Sequence, residues 1–318
     1  MKFLSIPQNG SSWSSQLIYS IDSESDEAAN IDIEITDSSG IIATKRLYGV
    51  VQAEIDIAPI LRSVADMRIL PTYGTSIRSS CIARKVVVRA NGLASDERIF
   101  YSSEINVTYP RMLSRMPIST IEYGQRIVFS VVAQKDLNIK IEAHSATSTQ
   151  SQTLTHKTDS LPVDVVIDTQ DFNQKCERID ITISSQLIII HRLSVVVESA
   201  SAGRRIVWRN SDGGIESYQF PWCIRQAQEA IIDKVQTAER SYSMLRNAKQ
   251  HYRLCSALEE EDTLRELADM MLAPYVYEMQ DGQLSEVELD SRSIEYDSHG
   301  LLRNITLEIS ADWKGGER

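Results

Sequence analysis

Apolar and polar residues alternate with a period of two through segment after segment of this chain. Ile31-Ile33-Ile35 set against Asp32-Glu34-Thr36 is the cleanest case, and Cys81-Ala83-Lys85-Val87 against Ile82-Arg84-Val86-Val88 is another. That period sends successive side chains to opposite faces of a strand and is incompatible with a helical stripe. Turn signals punctuate the alternation: Asp37-Ser38-Ser39-Gly40 after the first strand pair, and Asn91-Gly92 later. Short strands at roughly 10-residue spacing predict β-sandwich packing rather than an α/β fold.

Three domains are expected in 318 residues. Residues 1–110 read as an Ig-like β-sandwich. In it Ile55 to Arg62 should run from a strand into a short helical turn with Pro59 at its first position, and Ile105-Val107-Tyr109 should be its last strand. Residues 111–203 read as a second Ig-like sandwich, with Arg111 to Pro117 as a linker and the polar tract Ser145 to Thr158 as an edge strand or a loop. Residues 204–318 read as a smaller α+β module. The small-residue stretch Ser199 to Gly203 marks the boundary before it.

The third module opens on Arg204 to Trp222, which predicts strand, turn and strand. Asn210-Ser211-Asp212-Gly213-Gly214 is dense in residues that tolerate positive φ, and Glu216-Tyr218-Phe220 alternates with Ile215-Ser217-Gln219 beyond it. Trp208, Tyr218 and Phe220 carry ring surface that needs a core or an interface. The segment around Ile231 to Tyr242 fits either a helix face or long paired strands, and strands are favoured by its Thr, Ser and Tyr content. One amphipathic helix is expected over Glu259 to Leu272. Leu264, Leu267, Ala268, Met271 and Leu272 share a face, acidic residues crowd its start, and Pro274 stops it.

Chemistry is hard to find. The net charge of −11 opposes nucleic-acid binding. Cys81, Cys176, Cys223 and Cys255 have no metal-ligand spacing and read as free, mostly buried thiols. The five histidines form no H-x-x-x-H pattern. No nucleophile elbow or phosphate loop appears, so no cofactor, metal or catalytic residue is assigned. The longest apolar run, Leu187 to Ile190, is far short of a membrane span, and the first ten residues lack a secretory apolar region. Trp13, Trp208, Trp222 and Trp313 could form a carbohydrate platform, but core or subunit-interface roles are favoured.

The C-terminal module resembles the tube-type β-barrel-plus-helix domain of tailed-bacteriophage tail, distal-tail and baseplate-hub proteins. The resemblance rests on Trp208, Asn210, Gly213-Gly214, Tyr218 and Phe220, a W-x-N-x-x-G-G-x-x-x-Y-x-F pattern, followed by the helix with Leu264 and Leu267, a hairpin and a last long strand from Leu301 to Ile309. Trp13 and the Asp56 to Arg62 segment fit the same picture. Asn210-Ser211-Asp212 departs from it, standing where a basic or aromatic turn is expected. The resemblance covers about 110 residues and implies a non-enzymatic virion component, made in the bacterial cytoplasm, that pairs strand edges with copies of itself in a ring and contacts other tail or baseplate proteins. In that picture the helix packs outside a barrel. The alternative reading is a carbohydrate- or cell-surface-binding β protein. A glycoside hydrolase with β accessory domains would need two carboxylates in a cleft, which distant residues could supply.

Overall fold

The computed structural model describes residues 1–69, 74–103, 110–133, 135–158, 161–186, 188–199, 203–236, 241–291, 295–299 and 302–312. The expected strand at Ile105 to Tyr109, most of the Ser199 to Gly203 boundary, and Trp313 lie outside these residues. Strands take 60% of the chain and helices 8%, so the protein is mainly β, with sandwich architecture and one amphipathic helix in the last module.

The first module contains β1 (Lys2–Ser5), β2 (Ile18–Asp22), β3 (Ala29–Asp37), β4 (Gly40–Val50), β5 (Gln52–Asp56), α1 (Ala58–Val64), β6 (Ser76–Ser79), β7 (Ala83–Ala90), β8 (Leu93–Ala94) and β9 (Arg98–Tyr101). Sheet β1-β2-β5 faces sheet β4-β3-β7-β8, in which β9 also pairs with β7. The alternation of β3 does what it predicts: Ile31, Ile33 and Ile35 are buried in the core between the sheets, beside Trp13, Tyr19 and Phe100. Pro59 sits in the first turn of α1, where its missing N–H leaves nothing unsatisfied.

The second module contains β10 (Arg111–Met112), β11 (Thr120–Glu122), β12 (Arg126–Val132), β13 (Leu137–Ser145), β14 (Thr149–His156), β15 (Val163–Asp168), β16 (Cys176–Ser185) and β17 (Ile188–Glu198). One sheet runs β10-β12-β15-β6 and the other β11-β17-β16-β13-β14. The polar tract is therefore an edge strand, β14, paired with β13 from His144↔Thr149 to Leu137↔His156. Two features crossed the expected boundary. Strand β6, from within the first 110 residues, pairs with β15 (Ser79↔Val163 to Ser76↔Val166). The Arg111 to Pro117 segment is not a free linker: it starts with β10, and Leu113 and Met116 are buried.

The third module contains β18 (Arg204–Arg209), β19 (Ile215–Phe220), β20 (Trp222–Gln236), β21 (Ser241–Cys255), α2 (Glu261–Asp269), β22 (Val276–Gln280), β23 (Gln283–Leu289), β24 (Glu295–His299) and β25 (Leu302–Asp312). The strands follow one path, β19-β18-β22-β23-β25-β21-β20, with β24 beside β25. The path ends at β19 and β20, which the chain joins through Pro221. The ambiguous 231–242 region is thus paired strand up to Gln236 and again from Ser241.

The β18-β19-β22 part of this sheet is covered on both faces. On one, Ile206, Trp208 and Phe220 share a core with Leu264, Leu267 and Met270 of the helical segment and with Ile305, Leu307 and Ile309. On the other, Val207, Ile215, Tyr277 and Met279 pack on Val128 and Val166 of the second sandwich. Helix α2 therefore packs on the Trp208 face of the sheet, opposite the face that meets the second sandwich. The expected helical face is also corrected. A 3₁₀ turn over Met270–Leu272 follows α2, so burial continues every third residue, Leu264, Leu267, Met270, while Leu272 is 77% exposed.

Candidate functional site

The β18-β19 turn is the point where all three modules meet. Asn210 builds it. Its side-chain Oδ1 accepts the Gly214 N–H at 2.8 Å, its backbone N–H donates to Gly214 O at 2.9 Å, and its carbonyl accepts the Gly213 N–H at 2.8 Å. Its Nδ2 donates outward, to Leu113 O at 2.8 Å and to Glu216 Oε1 at 2.5 Å. The two glycines make close approach possible. Gly213 has φ +84°, and a Cβ there would lie 2.8 Å from Ile82 of the first module. A Cβ on Gly214 would lie 2.4 Å from the Leu113 carbonyl oxygen.

Behind the turn is a buried ion pair. Arg209 Nη2 donates to Asp164 Oδ2 at 2.7 Å, and both side chains are 2% exposed. The same guanidinium donates to Gly213 O at 2.8 Å and, through Nε, to Met67 O at 3.2 Å. Asp164 also accepts from Ser130 Oγ at 2.8 Å, and Ser130 Oγ in turn accepts the Ile215 N–H at 3.0 Å. Ser114 Oγ donates to Ile215 O and accepts the Ser130 N–H at 2.8 Å. One continuous network thus ties strands of the second sandwich to the third module, with the first module's Met67 and Ser80 at its rim. Burial is the largest influence on Arg209 and disfavours its charge; the adjoining Asp164 carboxylate more than offsets it, and the net shift is upward.

Two further polar anchors flank this network. Arg205, 3% exposed, donates to Gln125 Oε1 at 2.9 Å and to Thr120 O at 2.8 Å. Burial pulls it down to about 10. On the opposite face, Glu216 is 1% exposed and accepts the backbone N–H groups of Arg115 and Met116 at 2.6 and 2.9 Å. Tyr218 lies half-buried, edge-on to Phe220 with ring centroids 4.9 Å apart. Its hydroxyl donates to Glu259 at 2.7 Å and accepts the Ala257 N–H at 3.0 Å.

The structure therefore brings Trp208, Asn210, Gly213, Gly214, Tyr218, Phe220, Leu264 and Leu267 into one region, the turn and the core beneath it. It adds residues that sequence reasoning missed: Arg205, Arg209, Asp164, Ser130 and Glu216. A signal existed for two of them. Glu216 shares a strand face with Phe220, and Asp164 is set among Val163, Val165 and Val166, a run apolar on both faces. A carboxylate in such a setting needs buried donors.

A cleft of about 380 Å³ opens between the second sandwich and the third module, with Ser119, Glu198, Arg205, Tyr218 and Glu259 in its walls. Two of these polar groups are already committed, Arg205 to Gln125 and Thr120, Tyr218 to Glu259. On the outer face of the second sandwich, Thr149 Oγ1, His144 and Asp180 line up at 3.1 and 3.0 Å. They sit on adjacent strands β14, β13 and β16, and cross-strand pairing accounts for the ladder. Among the described residues no group of three His, Cys, Asp or Glu is placed to hold a metal ion. All four cysteines are free; Cys176 and Cys255 are buried, but Cys223 is exposed. Trp13 and Trp208 are 3% and 0% exposed, so neither offers a sugar its ring face. No described helix is long and apolar enough to cross a membrane.

No family model and no curated protein matches the chain. Solved structures that are similar include the extracellular region of plexin A4 (9% identity, TM-score 0.19, covering 97% of this chain and 39% of that one). Others are a variant of Salmonella alpha-2-macroglobulin (9%, 0.23, 89% and 23%) and Dpr2 Ig1-Ig2 in complex with DIP-Theta Ig1-Ig3 (10%, 0.19, 98% and 89%). The chain spans well under half the length of the first two.

Proposed function

We propose that this chain is a non-enzymatic structural protein that assembles through β-domain contacts, a component of a phage tail or baseplate in which copies form a ring and bind other tail proteins. The observation that carries this reading is the β20-β21 arm. These strands pair from Trp222↔Cys255 to Gln236↔Ser241, but β25 supports β21 only over Lys249–Cys255. The eight residues from Ser241 to Ala248 pair only with β20 among the described strands, a reach of about 25 Å beyond the sheet. A two-stranded ribbon alone in water is marginal, and β20 presents an edge that a further strand can extend. At its base Trp222 and Ile224 are 51% and 59% exposed. Residues 222–255 carry six Lys or Arg against three Asp or Glu. The arm is thus net +3 in a chain of −11, which leaves −14 on the remainder. A basic arm and an acidic body favour contact between copies.

The test compares the full chain with a variant in which residues 228–248 are replaced by a two-residue turn. Light scattering and negative-stain imaging at tens of micromolar should show rings or higher oligomers for the former and folded monomers for the latter. A full chain that stays monomeric at that concentration and captures no tail protein would overturn the proposal.

A further inference from the structure

Arg205 and Arg209 both lie on β18 and both reach into the second sandwich, but only Arg209 has a counter-ion there. Arg205 is 3% exposed, and its three acceptors are neutral: Gln125 Oε1 at 2.9 Å, Thr120 O at 2.8 Å and Ser217 Oγ at 3.5 Å. Among the described residues no carboxylate forms an ion pair with it; Glu122 and Glu198 favour its charge only through space. Nη1 makes only the long contact to Ser217, so its donors are largely unused. A buried cation held by neutral oxygens alone is destabilising, and a carboxylate beside it offsets that penalty. Arg205 also lines the cleft of about 380 Å³ between the second sandwich and the third module, a volume within the usual range of ligand sites.

A second unfilled group lies in the same wall. Strand β19 ends its sheet, so one of its edges is unpaired. Ile215 shows which way that edge points: its N–H and carbonyl bond Ser130 Oγ and Ser114 Oγ, away from β18. Antiparallel bonding alternates along a strand, so Ser217, two residues on, turns its N–H and carbonyl the same way. Those two groups have no hydrogen bond among the described residues, although Ser217 is only 3% exposed and borders the cleft. An unfilled N–H and C=O pair on a sheet edge is a template for one more extended chain.

We propose that this cleft binds an extended peptide bearing a carboxylate, with the carboxylate paired to Arg205 and the peptide backbone to Ser217. One uncompensated positive charge matches a monoanion. Glu198 and Glu259, also in the walls, oppose a second negative charge and so disfavour phosphate. The inference stands independently of the assembly reading.

The test uses the full chain and N-acetyl-trialanine at millimolar concentration, as the free acid and as the amide. Saturation-transfer NMR reads the methyl signals of the ligand and works on large assemblies. A charge-assisted contact should make the acid bind about 10- to 100-fold more tightly than the amide. Hydrogen exchange followed by mass spectrometry should show added protection over 215–220 when the acid is present. Arg205→Gln should erase the preference for the acid, and Glu198→Gln should enlarge it by removing a like charge. Equal binding of acid and amide, no saturation transfer to the acid, or protection confined to other segments would overturn the proposal. Acetate or inorganic phosphate competing as strongly as the peptide acid would overturn the assignment to an extended chain. Should Arg205→Gln fail to fold, the acid and amide on the wild-type chain decide.

Discussion

Removing Asp164 tests the seam most directly. In Asp164→Ala the Arg209 guanidinium keeps its bonds to Gly213 O and Met67 O but loses its counter-ion, and Ser130 Oγ loses its acceptor. Both partners are 2% exposed, so water cannot replace the carboxylate without opening the interface. Breaking a buried pair in this way costs about 3–5 kcal/mol. With a urea dependence of about 2 kcal/mol per molar, the midpoint should fall by about 1.5–2.5 M. Tryptophan fluorescence reports the transition, because Trp208, next to Arg209, is fully buried. Three modules need not unfold together, so the transition to follow is the one in which Trp208 becomes exposed. The double variant Asp164→Leu with Arg209→Met should recover most of the loss, because an apolar pair needs no desolvated charge. A shift below about 0.5 M for Asp164→Ala, or a double variant no better than the single, would refute the claim that this pair holds the modules together.

Further outcomes follow from the same geometry. Gly214→Ala would drive a Cβ to 2.4 Å from the Leu113 carbonyl, so the turn must withdraw from the second module. Faster hydrogen exchange at the Ser130 and Ile215 amides should report it, and unchanged exchange would contradict it. Leu267→Ala empties a fully buried position shared with Trp208 and should cost about 2–5 kcal/mol in denaturant melts. Tyr218→Phe removes one donor to Glu259 and one acceptor for the Ala257 N–H, and should cost about 1–3 kcal/mol while leaving the Phe220 contact intact.

Period-two alternation is a strong local signal, and it carried most of the strands of the first two modules and the β18-β19 hairpin, while Thr, Ser and Tyr content carried the reading of 231–242 as paired strand. The helix was equally legible, because Leu264 and Leu267 repeat at helical spacing behind an acidic start. Its end was not, since the switch to 3₁₀ geometry at Met270 changes the period from 3.6 to 3.0 without any residue that announces it. Sheet membership was not legible for β6: Ser76 to Ser79 could pair with any open edge, and only the tertiary arrangement selects β15. Arg111 to Pro117 reads as a linker between the two sandwiches, yet it starts with β10. Leu113 and Met116 were its only hint of burial. The network itself was the hardest to foresee, because Arg209 and Asp164 are 45 residues apart: the apolar run around Asp164 signals a buried carboxylate without naming its partner, and Arg209 taken alone looks like the solvated face of a strand.

The seam also bears on why a turn rich in Asn and Gly sits at that place. A purely apolar contact between Val207, Ile215, Val128 and Val166 would bury surface but tolerate sliding, because dispersion and the hydrophobic effect are non-directional. The Arg209 guanidinium, Asn210 amide and Glu216 carboxyl each require partners at set positions on Gly213, Leu113 and Arg115, and a slip of one residue in register would leave buried groups unsatisfied. Orientation between the modules is therefore specified by polar groups laid over an apolar contact. For the assembly proposed above, that matters for a mechanical reason. The β20-β21 arm leaves the module immediately after β19, so the direction in which it points relative to the two sandwiches is set by how firmly the β18-β19 turn is held.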